Sequence, residues 1–324
     1  MANDGGKLFI TRRTISLDEA LAQHGLMAAF QVEIWEGEGA PSPATLLEKA
    51  QGCVGILTQV VDPIDAAFMD AVPTLRVISQ CAVGVNNIDL AAARERGIAV
   101  GHTPGVLTDA TADMTFALLL AAARHVVAGA DLVRAGGWRG WEPMLLLGKA
   151  LQGATLGILG YGRIGQTVAR RAKGFDMRVL AHRLSPERAA QDGVTAVDFE
   201  ALLRESDFLS LHVPLRPETH HLIDAAALAL MKRDAALINM ARGEVVDPQA
   251  LYKALHTGQI GMAALDVTEP EPIPADHPLV GLPNCLIVPH LGSATVQARR
   301  AMTQLAVANL AAGVRGEPLP HRAN

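Results

Sequence analysis

At 324 residues the chain exceeds the length at which one hydrophobic core usually stops growing, so two domains are expected. Half of the residues are hydrophobic and only 4% aromatic, a balance that suits Ala-, Leu- and Val-rich helices packed on buried parallel sheet. The formal net charge is −5 and no block of Lys or Arg stands out, which argues against nucleic acid as a partner. No run of about eighteen apolar residues is free of charge or proline, so no membrane span is expected.

Up to about residue 101, short β-like runs alternate with short helical ones. Strands are predicted at Lys7–Thr11, Val32–Trp35, Val54–Thr58, Leu75–Cys81 and Ile98–Val100. Helices are predicted at Leu17–His24, Ala44–Ala50, Asp65–Ala71 and Leu90–Arg96. Such alternation with short connections is the pattern of an open parallel sheet covered by helices. The N-terminal stretch MANDGGKLFITRR lacks the apolar centre of a signal peptide, and Cys53, Cys81 and Cys285 lie far apart. They read as reduced core residues of a cytoplasmic protein rather than as a disulfide or metal set.

A long helical pattern then runs from Thr108, a candidate N-cap, to about Val133, with Asp109 and Asp113 near its positive end. It reads either as a packing helix or as a bridge between two domains. The loop Gly136–Pro143 carries Trp138 and Trp141, which read either as core anchors or as a subunit contact or substrate wall.

From Thr155 a second alternating series begins. Strands are predicted at Thr155–Leu159, Arg178–His182, Phe208–Val213, Ala236–Met240, Met262–Val267 and Leu286–Val288. Helices fall at Gly165–Lys173, Phe199–Glu205, Ala225–Met231 and Pro248–His256, with a last one at Ala294–Val314 that is expected to return to the first domain. The first strand breaks into Gly160-Tyr161-Gly162-Arg163-Ile164-Gly165, a G-x-G-x-x-G between strand and helix. Gly160 suits the tight turn, Gly162 the close approach of a pyrophosphate, and Gly165 the packing of helix on strand. A dinucleotide would place its phosphates on the helix N-terminus.

The second strand of this series ends at Arg183, with Ser185 close behind, where an NAD-preferring site usually carries an acid on the ribose. A guanidinium forks to a 2′-phosphate that a carboxylate would repel, so NADP(H) is expected over NAD(H). Near later strand ends stand Arg242, Glu271 and His290. Reduction of a keto acid beside a nicotinamide needs a cation for the carboxylate and carbonyl, a proton donor, and a carboxylate that keeps the donor charged. These three residues are of the required types, although each alone has a bland reading: a structural histidine or a loop charge. His220-His221 reads as a loop pair with no third ligand type near it, so no metal site is expected.

Four ordered motifs, GILGYGRIG at 157–165, INMARGEVVD at 238–247, AALDVTEPEP at 263–272 and VPHLGSAT at 288–295, resemble the D-isomer-specific 2-hydroxyacid dehydrogenases. CAVGVNNID at 81–89, HTPGVLTDATAD at 102–113, GGWRGWEP at 136–143 and RGEPLP at 315–320 are most similar to the glyoxylate/hydroxypyruvate reductases of that family. The resemblance implies an α/β protein of two doubly wound parallel-sheet domains with the active-site cleft between them. One is a flavodoxin-like substrate domain (1–101, completed by 290–324), the other a Rossmann dinucleotide domain (102–289).

It further implies that Arg242 binds the substrate carboxylate and carbonyl, that His290 is the acid/base, and that Glu271 pairs with it. The backbone of Val83 and Gly84 would hold the carboxylate, with Leu57 and Ser293 also on the substrate side. Thr108, Ser185, Val213, Pro214, Thr219, Met240, Ala241 and Gly292 would join the glycine loop around the cofactor, and Asp266 would meet the nicotinamide carboxamide. Trp141 matches a residue that reaches the neighbouring subunit, which implies a homodimer. Asn86 and Arg183 depart from the family pattern, where Asp and an acid are common. The expected function is NADPH-preferring reduction of small 2-keto acids, glyoxylate to glycolate and hydroxypyruvate to D-glycerate. The alternatives are a broader D-2-hydroxyacid or 2-ketogluconate dehydrogenase and, more remotely, a dinucleotide-sensing corepressor.

Overall fold

A computed structural model of the protein describes residues 5–182 and 184–324, the side chain of residue 186 excepted. The chain divides into two compact units, Met1–Leu107 with Thr295–Asn324, and Thr108–Ala294. Both crossings fall a few residues later than the sequence boundaries at 101 and 289. His290, Gly292 and Ser293 therefore belong to the second unit, not the first.

In the first unit the chain runs β1 (Lys7–Ile10), α1 (Leu17–Gln23), α2 (Leu26–Ala29), β2 (Gln31–Ile34), α3 (Pro43–Ala50), β3 (Cys53–Thr58), α4 (Ala66–Ala71), β4 (Val77–Gln80), α5 (Leu90–Glu95) and β5 (Ala99–Gly101). The strands form an all-parallel sheet in the order β2-β1-β3-β4-β5, a doubly wound arrangement of flavodoxin type. Every residue of β3 and β4 is buried, as two helix-covered faces require. Ser42, Asp65 and Asp89 cap α3, α4 and α5 by accepting the amides of Thr45, Phe68 and Ala92.

The second unit contains α6 (Thr108–Ala123), α7 (Val126–Arg134), β6 (Thr155–Leu159), α8 (Arg163–Ala172), β7 (Arg178–His182), α9 (Pro186–Asp192), β8 (Thr195–Val197), α10 (Phe199–Glu205), β9 (Phe208–Leu211), α11 (Ala225–Leu230), β10 (Ala236–Asn239), α12 (Pro248–His256), β11 (Met262–Leu265) and β12 (Cys285–Ile287). Its strands are all parallel, in the order β12-β11-β10-β9-β6-β7-β8. The order reverses between β6 and β9, and open α/β sheets bind ligands at the strand C-termini beside such a switch. Leu159, Leu211 and Leu237 fill the core on one face, and Leu156, Ile158 and Ile238 the core on the other. The last helix, α13 (Val296–Val314), lies in the first unit.

Three expectations change. The pattern from Thr108 to Val133 is two helices, bent by 61° at Arg124-His125, where His125 takes a left-handed φ of 52°. Neither Gly nor Pro marks the break. Thr108 is the first helical residue rather than the cap. The short elements α2, α9 and β8 lie outside the strand and helix patterns of the sequence. Among the described residues no single helix is long and apolar enough to cross a membrane. The bent α6–α7 pair passes that test only when combined, and α6 buries Phe116, Leu118 and Leu119 in the core. The cysteines are free, and burial pushes the thiols of Cys53 and Cys81 up to about 11 and that of Cys285 to about 12.

Candidate active site

The glycine loop sits at the C-terminal end of β6. Gly160 has a φ of 102°, and a Cβ there would lie 2.6–2.7 Å from the backbone of His212 and Val213, so only glycine fits. A Cβ on Gly165 would lie 2.3 Å from the Gly160 carbonyl, which is how α8 comes so close to the strand. Gly162 differs: a Cβ there would meet nothing within 4 Å. It is also the N-cap of α8 and offers no side-chain cap to the helix amides. An open cradle over uncapped amides is the form that a pyrophosphate fits. Gly162→Ala is therefore expected to leave the melting temperature unchanged while weakening dinucleotide binding. Gly160→Ala should lower both, and a calorimetric titration beside a thermal melt separates the two effects.

Around this loop Tyr161 has its hydroxyl pushed up to about 12 by burial and by Asp192. Arg163 and Ile164 open α8. Val213 and Pro214 follow β9, and the Thr219 hydroxyl pins their loop by donating to the Pro214 carbonyl at 2.7 Å. Met240 and Ala241 are buried just past β10. Ser185 caps α9, accepting the Arg188 amide at 3.3 Å. Arg183, on which the expected cofactor preference rests, lies outside the described residues.

Past β11 and β12 the chain builds a polar cluster. Nδ1 of His290 lies 2.6 Å from Oε1 of Glu271, and the Thr268 amide donates to Oε2 of Glu271 at 3.4 Å. Burial pushes the Glu271 carboxyl up. The hydrogen bond and charge of His290, the Thr268 amide and the charge of Arg242 more than offset this, and the net pKa falls below the usual carboxylate value. Burial pulls the Arg242 guanidinium below its ordinary value, while Glu271 and Glu244 act the other way. Its Nη1 donates to the Ala241 carbonyl at 2.7 Å. Asn239, at the end of β10, fixes the turn by donating to the Arg242 carbonyl and accepting the Ala241 amide. One carboxylate thus feels both the imidazole and the guanidinium.

Asp266 is nearly fully buried, and its two oxygens accept the amides of Leu291 (2.5 Å) and Gly292 (2.9 Å). Burial raises its pKa despite those amides and the charge of His290. The carboxylate expected at the carboxamide is thus already engaged in shaping the turn after His290. His290 itself has a left-handed φ of 53°, and its amide is shared between the Asp266 and Val288 carbonyls, both at 3.0 Å. Such a conformation costs of order 1–3 kcal/mol and persists where the surroundings hold it.

Other expected residues are dispersed. Ser293 is partly buried, and Trp141 is 82% exposed on the loop after α7. Leu57, Val83 and Gly84 lie in the first unit. Leu57 is wholly buried within β3, so its side chain is core and not pocket wall. The loop of Val83 and Gly84 is held by residues that the sequence did not single out. His102 Nδ1 lies 3.0 Å from the Val83 carbonyl, and Gln80 donates to the Gly84 carbonyl at 3.2 Å and to Asn87 at 2.8 Å. No motif marks such side-chain-to-backbone struts.

The family model described as D-isomer specific 2-hydroxyacid dehydrogenase, NAD binding domain, matches residues 116–292. A glyoxylate reductase of Korarchaeum cryptofilum is 49% identical over 298 residues, covering 91% of this chain and 90% of that protein. The chain belongs to the D-isomer-specific 2-hydroxyacid dehydrogenase family. This dehydrogenase superposes on a protein of Thermus thermophilus with a TM-score of 0.91 at 48% identity, covering 98% of this chain and 100% of the other. An NADPH-dependent glyoxylate/hydroxypyruvate reductase of Sinorhizobium meliloti, solved with NADP and malonate, gives a TM-score of 0.86 at 31% identity. There the coverage is 98% of this chain and 96% of the other. The 2-hydroxyacid dehydrogenase fold is thus two parallel α/β domains, and the chain is an NAD(P)-dependent dehydrogenase.

Proposed function

We propose that this dehydrogenase reduces small 2-keto acids, glyoxylate first and hydroxypyruvate next, and prefers NADPH to NADH. The observation that carries the reading is the 2.6 Å contact of His290 with Glu271, a carboxylate that also lies in the field of the Arg242 guanidinium. When bound, the reduced nicotinamide supplies hydride to the carbonyl carbon. His290 gives its proton to the forming alkoxide, and Glu271 holds the opposite ring nitrogen in place. Arg242 binds the substrate carboxylate and polarises the carbonyl. Asp266 and the backbone around Asn239 orient these groups.

The name of the Korarchaeum relative supports glyoxylate, and the Sinorhizobium reductase, solved with NADP, supports the phosphorylated cofactor. Arg183 is assigned to the 2′-phosphate. The test is kcat/KM for glyoxylate, hydroxypyruvate, pyruvate and 2-ketogluconate with each cofactor, in the parent and in Arg183→Asp. Glyoxylate with NADPH should lead. The aspartate should move the NADPH/NADH ratio toward NADH by roughly 10–100-fold, the worth of one or two charge-assisted hydrogen bonds. Equal use of both cofactors by the parent removes the role given to Arg183, and pyruvate or 2-ketogluconate in the lead removes the substrate assignment.

The working form is proposed to be a homodimer. The helix α7 buries none of its residues, and with Trp138, Trp141, Met144 and Leu147 it presents a broad exposed apolar surface. Light scattering should return the mass of two chains; the mass of one contradicts the dimer.

A further inference from the structure

His220 and His221 are adjacent on the loop after β9, a loop pair for which the sequence offers no third ligand. The backbone makes the two a unit. His220 is extended, with φ −65° and ψ 124°, and His221 is left-handed, with φ 48°. This succession resembles the central pair of a type II turn, whose second position glycine or asparagine usually fills. Extended backbone would send consecutive side chains to opposite faces. Here the turn brings both imidazoles to one side, with ring centroids 4.0 Å apart and planes inclined at 30°. The turn is anchored on both residues. The His220 amide donates to the Arg216 carbonyl at 3.0 Å, and the His221 amide to the Glu244 carbonyl at 2.7 Å.

The third member arrives from the loop after β11. Oε2 of Glu269 lies 2.7 Å from Nε2 of His221, and one ligand atom from each of the three residues lies within 4.8 Å of the others. We propose that His220, His221 and Glu269 form a binding site for one divalent transition-metal ion of the zinc class. Two imidazoles and a carboxylate are the donor set of zinc sites that keep a fourth position for water. Metal–ligand bonds of about 2.0–2.1 Å place ligand atoms about 3.3 Å apart, and here they lie within 4.8 Å of one another before any ion is present. Imidazole selects zinc, nickel or copper over calcium and magnesium, which favour oxygen. His220 is exposed and the other two are half-buried, so an ion reaches the site from solvent. A simple His221–Glu269 ion pair accounts neither for the second imidazole nor for the left-handed backbone that delivers it. The three residues share no hydrogen bond with the Glu271–His290 pair in the contacts above, and the site does not depend on the substrate proposed above.

The experiment uses the full chain without an affinity tag, stripped with chelator and equilibrated by dialysis against micromolar zinc, with metal counted by elemental analysis. One zinc per chain is expected, and cobalt in its place should give the intense visible absorption of a tetrahedral site. Losing an outer-shell partner of a metal typically costs 10–100-fold in affinity, so losing a direct ligand in His221→Ala or Glu269→Gln should cost at least ~100-fold. His220→Ala, at an exposed position where folding is not at stake, should do the same, whereas His256→Ala on α12 should bind as the parent does. No retained zinc at micromolar concentration overturns the site. So does equal binding by the parent and His220→Ala.

Discussion

Arg242→Ala is expected to lower kcat/KM for glyoxylate by roughly 10²–10⁴-fold without lowering the melting temperature. The proposed contact to substrate is a forked pair of charge-assisted hydrogen bonds, each about 1.5–3 kcal/mol, and 1.36 kcal/mol is tenfold in rate. Burial pulls the pKa of Arg242 below the ordinary guanidinium value, with Glu271 and Glu244 acting the other way. The turn around it rests on the Asn239 side-chain amide, which donates to the Arg242 carbonyl and accepts the Ala241 amide, and these bonds survive truncation of the Arg242 side chain. Arg242→Lys should recover little, because an ammonium lacks the planar fork. Steady-state kinetics beside a thermal melt check both halves. A variant that loses stability in step with activity would assign Arg242 to the fold instead.

His290→Asn is expected to lower kcat by roughly 10²–10⁴-fold, the usual contribution of a general acid, and to leave the dissociation constant of NADPH unchanged. Asparagine is the informative replacement because the position has a φ of 53°, and asparagine tolerates the left-handed region that penalises most side chains. The amides of Leu291 and Gly292 remain on Asp266, so the turn should persist. Fluorescence titration with NADPH separates loss of the proton donor from damage to the nucleotide site.

Most of this architecture was legible in the chain. β6, β7, α10 and α12 fall where their apolar runs and caps put them, because strands buried on two faces are continuous apolar runs. The break at Arg124-His125 was not legible, since a left-handed histidine leaves no signal of the kind that glycine or proline gives. The short elements α2 and β8 have too few residues to establish a period. For the site, the types of Arg242, Glu271 and His290 could be read, but not their meeting. That depends on the strand-end loops, on the left-handed turn at His290, and on Asp266 accepting two amides. Leu57, which the resemblance puts on the substrate side, is wholly buried in β3, and a resemblance in sequence does not say which way a side chain faces. Glu269 was invisible as a neighbour of His221 because 48 residues separate them.

The most direct measurement is the chemical step itself. Parent and His290→Asn, each saturated with NADPH, are mixed with saturating glyoxylate in a stopped-flow instrument, and the single-turnover loss of reduced nicotinamide is recorded. The rate should fall in His290→Asn by the same factor as kcat, with glycolate formed in amounts equal to the NADPH consumed by the parent. An equal single-turnover rate in the two proteins would contradict the assignment of the proton donor.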